Sequence, residues 1–64
     1  MLDFIIGNKM NKNFEGNNYE IPLALRERFE FLTTKINYAK QENLDELYRG
    51  YSIIFDGEFG KYKV

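Results

Sequence analysis

Cysteine, histidine and tryptophan are absent from this 64-residue chain, and proline occurs once. Without cysteine no disulfide can staple the fold, and without cysteine or histidine a zinc staple is excluded in practice. The same two absences remove most catalytic repertoires, because nucleophilic triads, most general acid–base schemes and most catalytic metal sites draw on His or Cys. No run approaches the roughly 20 apolar residues that span a bilayer. Met1–Ile6 is too short and too acidic for a signal peptide. A soluble, unexported protein is therefore expected, and the lack of cysteine fits a reducing compartment, so the expected location is cytoplasmic. Internal repeats, low-complexity tracts and glycosylation acceptors are not found. Neither Gly7-Asn8-Lys9 nor Gly57–Gly60 matches a Walker or dinucleotide loop, and Asp56-Gly57-Glu58 lacks the repeated oxygen ligands of an EF-hand.

What is present is an aromatic-rich single domain, residues 1–64. Phe and Tyr number 11 and make up 17% of the chain. A domain of this length buries only about 60% of its unfolded surface, so stability must come from dense aromatic packing, self-association or a partner. Each large ring can bury about 150–250 Å².

The clearest element is Pro22–Gln41, PLALRERFEFLTTKINYAKQ. Leu25, Phe29, Leu32, Ile36 and Ala39 alternate four-and-three, which aligns them on one stripe of a helix. Pro22 suits a first helical position, where no intrahelical partner awaits its missing N–H. Glu27, Glu30, Thr34, Asn37 and Gln41 fall on the opposite, solvated face, with Arg26, Lys35 and Lys40 at the margins. Phe31 and Tyr38 lie two turns apart off the core stripe and mark a candidate exposed aromatic patch.

Ahead of the helix, Gly16-Asn17 is a Gly-first pair suited to a type II′ hairpin turn, which would set Phe14 opposite Tyr19. Leu2–Ile6 is a candidate further strand, connected through 7–11. After the helix, Asn43 is read as the cap of a second helix. Two continuations compete. In one, Leu44, Leu47, Tyr48, Tyr51, Ile54 and Phe55 form a continuous helical stripe, giving a helical hairpin with a short N-terminal β-hairpin. In the other, Gly50 ends the helix, Tyr51–Phe55 is a strand, and Asp56-Gly57 turns it into a further strand from Glu58. The second is favoured because Ile53 would point away from the stripe on a helix. The expected class is α+β: one long helix, about 22–41, on a small antiparallel sheet, with a short second helix from about 43.

For function, the composition points to a non-catalytic protein-binding module needing no cofactor or metal. Paired carboxylates such as Asp45 with Glu46, or Asp56 with Glu58, supply the two groups that glycoside hydrolysis needs, yet a chain this short can hardly wall a cleft of about 300–1,000 Å³ around them. They read instead as first-turn residues at the positive end of a helix dipole and as turn residues. The largest local charge imbalance lies in residues 43–58, where Arg49 stands against Asp45, Glu46, Asp56 and Glu58, a net of −3. With the neighbouring rings, Asp45, Glu46, Tyr48, Tyr51, Asp56 and Glu58 form the candidate partner-binding set, aimed at a protein with a basic surface. Two other classes stay open. A single-stranded nucleic-acid binder would stack bases on Phe14 and Tyr19 beside Lys9 and Lys12, although a net charge of −1 opposes it. A self-assembling structural subunit, with a homodimer as its simplest form, would answer the stability deficit and use open sheet edges. The abundance of Asn, Lys, Ile, Phe and Tyr is shared with short stand-alone proteins of bacteriophages and mobile elements having AT-rich genomes. By that association the expected role is inhibitor or regulator of a host protein.

Overall fold

The computed structural model describes residues 9–64, so the strand expected at Leu2–Ile6 lies outside the described residues. Two strands, β1 (Lys9–Phe14) and β2 (Asn17–Pro22), form an antiparallel hairpin. A 3-10 turn (Leu23–Leu25) leads into helix α1 (Arg26–Gln41), and helix α2 (Asp45–Phe59) folds back along it. A second 3-10 turn (Gly60–Tyr62) then returns the chain to the sheet. There Lys63 bridges Tyr19, and the Val64 N–H donates to the Asn18 carbonyl at 2.9 Å. The architecture is α+β, a two-stranded sheet laid on a helical hairpin.

The hairpin turn is one residue earlier than its glycine suggested. Glu15 (φ 52°) and Gly16 (φ 82°) both take positive φ, and Phe14 pairs with Asn17, so the loop has the type I′ form. Tyr19 consequently stands opposite Lys12, not Phe14. The slip of register is even, so Phe14 and Tyr19 stay on the same face of the sheet as diagonal neighbours. That face is the one that packs on the helices.

Pro22 ends β2 with extended ψ (142°), and the helical path begins after it as a 3-10 turn, so the α-helix is shorter at its start than Pro22–Gln41. As the terminal strand residue, proline loses no ladder donor from the strand interior. The end at Gln41 is as the sequence indicated. The core stripe is too: Phe29, Leu32, Ile36 and Ala39 are all buried, with Leu25 half-buried in the 3-10 turn.

Asn43 caps no second helix. It sits at φ 59° just past the end of α1, where its N–H bonds the Lys40 carbonyl (3.3 Å) and the Leu44 N–H bonds the Ala39 carbonyl (2.8 Å). These are the two bonds of a Schellman motif, with asparagine as the left-handed residue. α2 then starts at Leu44 with no side-chain cap, assisted by Asp45 and Glu46 in its first turn.

Beyond Gly50 the helix continues unbroken to Phe59, in place of the favoured strand pair around Asp56-Gly57. The reason is where the phenylalanines point. A two-residue turn at 56–57 would send Phe55 and Phe59 to opposite faces of a ribbon, whereas positions four apart on a helix share one face. In α2 both rings are buried, 5.2 Å apart, against Phe29 (5.5 and 5.3 Å). Burying two phenylalanines contributes roughly 1.5–3 kcal/mol each. Two helical glycines cost about 1 kcal/mol each, so the helix prevails. Ile53 is left 65% exposed, as its wheel position required.

The core is a ring cluster. Phe29 and Phe55 each contact Phe14, Tyr19 and Phe59 as well as one another, at centroid distances of 5.1–6.4 Å. Most of these contacts are tilted or edge-on, the arrangements the aromatic quadrupole favours. Ile21, Leu32 and Ile36 complete it, and no polar or charged residue among those described is buried. Polar ties close its margins. Glu15 accepts from the Tyr48 hydroxyl (3.3 Å) and lies 3.6 Å from the Lys40 ammonium, which fixes the hairpin turn to both helices.

Tyr19, 3% exposed, has a phenol held above its ordinary value, first by burial and then by the charge of Asp56. A raised folded value means that the fold favours the neutral phenol. Its contribution is complete below pH about 10 and is lost as pH rises through the higher folded value. Thermal melts taken between pH about 9 and about 11.5 should show the wild type losing stability more steeply than Tyr19→Phe; equal losses would contradict a buried neutral Tyr19.

Candidate protein-binding face

Helical geometry decides which of the expected partner-binding residues act together. On α2, Phe55 meets the rings of Phe14 and Tyr19 on the sheet, Phe59 packs beside it against Phe29 and Tyr62, and the Tyr48 hydroxyl donates to the Glu15 carboxylate. Tyr51 and Glu58 face α1: the Tyr51 ring meets Phe31 edge-on at 6.5 Å, and Glu58 receives two hydrogen bonds from Arg28, at 2.9 and 2.8 Å. Asp45 and Glu46 occupy the exposed first turn, and Asp56 lies on the flank near Tyr19. The six residues Asp45, Glu46, Tyr48, Tyr51, Asp56 and Glu58 are thus distributed around the helix. Tyr48 is half-buried against the core and Glu58 is already paired, so no single surface gathers the set. The carboxylates of Asp56 and Glu58, two positions apart on one helix, point to different flanks.

The Arg28–Glu58 pair is a bidentate clip across the two helices. Its hydrogen bonds hold the Glu58 carboxyl below the ordinary range and raise the Arg28 guanidinium further. For a lowered carboxyl the contribution is present above the unfolded value and is lost as pH falls through the folded one. Both groups are exposed, so the effect on stability is small.

What the fold does gather lies on the side of the helical hairpin away from the sheet. Phe31 (46% exposed) and Tyr38 (54%) come from α1, and Leu47 (42%) and Ile54 (43%) from α2, with half-buried Tyr51 between. On α2 the spacing Leu47, Tyr51, Ile54, Glu58 is four-three-four, which keeps one stripe along the helix. The Phe31 ring is flanked by two cations, the Arg28 guanidinium at 5.8 Å and the Lys35 ammonium at 5.6 Å. Arg28 is engaged by Glu58; Lys35 makes no ion pair among the described residues. Large exposed side chains from two antiparallel helices thus share one side of the hairpin, with the Lys35 cation between Phe31 and Tyr38.

Part of this face was visible in the sequence. Phe31 and Tyr38 stand out there as off-stripe aromatics. Lys35, by contrast, read only as a margin residue, because its place in the strip depends on α2 lying alongside.

The rings considered for base stacking are occupied elsewhere. Tyr19 is buried and Phe14 packs on Phe29 and Phe55, while Lys12 is 3.6 Å from Glu30. No helix among the described residues is long and apolar enough to cross a membrane. Comparison with protein-family models, with characterised proteins and with solved structures finds no match to this chain.

Proposed function

We propose that this protein is a small protein-binding module that works through the outer face of its helical hairpin, regulating or inhibiting the protein it binds without chemistry of its own. The observation that carries this reading is the alignment of Phe31, Tyr38, Leu47 and Ile54, all 42–54% exposed, on the one side of the hairpin that the sheet leaves uncovered. A core residue would be covered and a solvated face would be polar; these four are neither. Aromatic anchors in such a strip are the side chains that contribute most to protein interfaces. The acidic first turn of α2, Asp45 and Glu46, lies at one end of the strip, where it can steer association rather than anchor it. The nucleic-acid reading loses its stacking platform to the core, as described above.

The test compares the wild type with a Phe31→Ser/Ile54→Ser variant as bait in the source cell. Both positions are about half exposed, and Phe31 also gives up its contacts with Tyr51, Arg28 and Lys35, so the two changes together should cost about 1–2 kcal/mol, which a thermal melt measures directly. The expected result is a stoichiometric partner captured by the wild type and lost from the variant, with an unchanged circular dichroism spectrum. A partner retained by that variant but lost on changing Asp45 and Glu46 to Lys would move the binding surface to the acidic turn. Sub-micromolar binding of single-stranded oligonucleotides at physiological salt, abolished by changing Lys9 and Lys12, would replace the reading altogether.

A further inference from the structure

We infer that the partner element seated on this face is an amphipathic helix carrying a carboxylate at its middle; the inference rests on the protein-binding reading above. α1 and α2 run antiparallel for about four turns each and expose Phe31 and Tyr38 on one helix and Leu47 and Ile54 on the other, with the Tyr51 ring against Phe31 between them. Their backbone groups are spent within the helices, so an added strand would find nothing to pair with, whereas a helix can lay an i, i+3/i+4, i+7 stripe along these two rows. The length of α1 and α2 sets that of the occupant at about 16–18 residues, some 24–27 Å.

Lys35 lies just past the midpoint of α1, one turn from Phe31, with its ammonium over the ring and no carboxylate partner among the described residues. Arg28 is neutralised by its bidentate clip to Glu58. The uncompensated charge at the centre of the strip is therefore positive, while Glu42 and Glu46 flank the tip where the hairpin turns. A complementary helix carries an acid opposite Lys35 and tolerates a base toward the tip.

The same position disfavours a second copy of this chain. A two-fold axis through the middle of the face would bring each residue near the centre close to its own symmetry mate, and the residue there is Lys35. Two ammonium groups would then be driven together in a partly desolvated interface, a juxtaposition that costs rather than contributes.

The experiment is selection from a displayed library of random peptides of about 18 residues, run in parallel on the wild-type chain of residues 1–64 and on its Lys35→Glu variant. The wild type should enrich peptides with a helical apolar period and a central Asp or Glu. Lys35→Glu should enrich Lys or Arg at that position and bind the wild-type winners on the order of 10-fold more weakly. Unchanged preferences on Lys35→Glu, enriched peptides without helical periodicity, or no enrichment would each overturn the inference. The proposed function would still stand if the bait experiment yielded a partner sensitive to Phe31 and Ile54. Two controls cover other occupants. Sedimentation equilibrium showing a dimer dispersed by Phe31→Ser/Ile54→Ser would assign the face to a second copy. Peptide affinity raised by removing residues 1–8 would assign it to that segment. Either result overturns the inference.

Discussion

Replacing Phe29 by alanine should cost about 3–5 kcal/mol, the range for truncating a buried phenylalanine, which is most of what a domain this small possesses. The cost is concentrated here because the Phe29 ring is shared by every layer of the fold. It meets Phe14 and Tyr19 of the sheet and Phe55 and Phe59 of α2, and it is 4% exposed. Four ring contacts are lost together, and the neighbours that would have to collapse into the space are themselves stiff aromatics. At roughly 4–8 °C per kcal/mol for a domain of this size, the melting temperature should fall by well over 10 °C. A Phe29→Ala variant that melts within about 2 °C of the parent would show that the ring cluster is not the core.

The second large effect has the opposite sign. Gly50 and Gly57 lie inside α2, and a Cβ built on either meets no atom within 4 Å. Neither has the positive φ that marks Gly16. Alanine at each site removes backbone freedom from the unfolded chain and adds no clash, so Gly50→Ala and Gly57→Ala should each stabilise by up to about 1 kcal/mol. The two sites are two turns apart and share no partner, so the double variant should approach the sum and raise the melting temperature by up to roughly 8–16 °C. The measurement also discriminates between folds. In a β-turn at Asp56-Gly57 the glycine would need positive φ, and Gly57→Ala would destabilise. A lowered melting temperature for Gly57→Ala would therefore refute the continuous helix.

Both glycines also show why the C-terminal third was hard to read. Asp56-Gly57 between β-prone flanks is a local signal for a hairpin, and Gly50 is a local signal for a helix end. Both were outweighed by a non-local term, the burial of Phe55 and Phe59 against Phe29. The same contest decided Asn43. Its side chain suits the cap of the helix that follows, yet asparagine also tolerates the left-handed backbone, and the orphan carbonyls at the end of α1 claimed it first. At Glu15-Gly16 the glycine was recognised as a turn residue, but the turn's type and register follow from the path of the strands it joins.

The candidate site divides in the same way. The acidic turn and the aromatics of α2 stand next to one another in sequence, which made Asp45–Glu58 look like one surface. On a helix, neighbours in sequence point in different directions, so Tyr48 was taken by the core, Glu58 by Arg28, and Asp45 and Glu46 were left at the tip. The exposed strip on the outer side joins residues of two different helices, Phe31 and Tyr38 from one and Leu47 and Ile54 from the other.

By itself the sequence determined the first helix and its buried stripe, the presence of a hairpin before it, the α+β class and the dependence on aromatic packing. These rest on period, turn residues and composition, which act within a few residues of one another. Which face Phe55 and Phe59 would turn inward, and hence whether residues 51–59 formed a helix, was decided only by the tertiary structure. So was the assembly of Phe31, Lys35, Tyr38, Leu47 and Ile54 into one exposed strip. The physical reason is that each depends on contacts between elements far apart in the chain, where burial of large rings, worth several kcal/mol together, exceeds the local preferences of about 1 kcal/mol that a sequence displays.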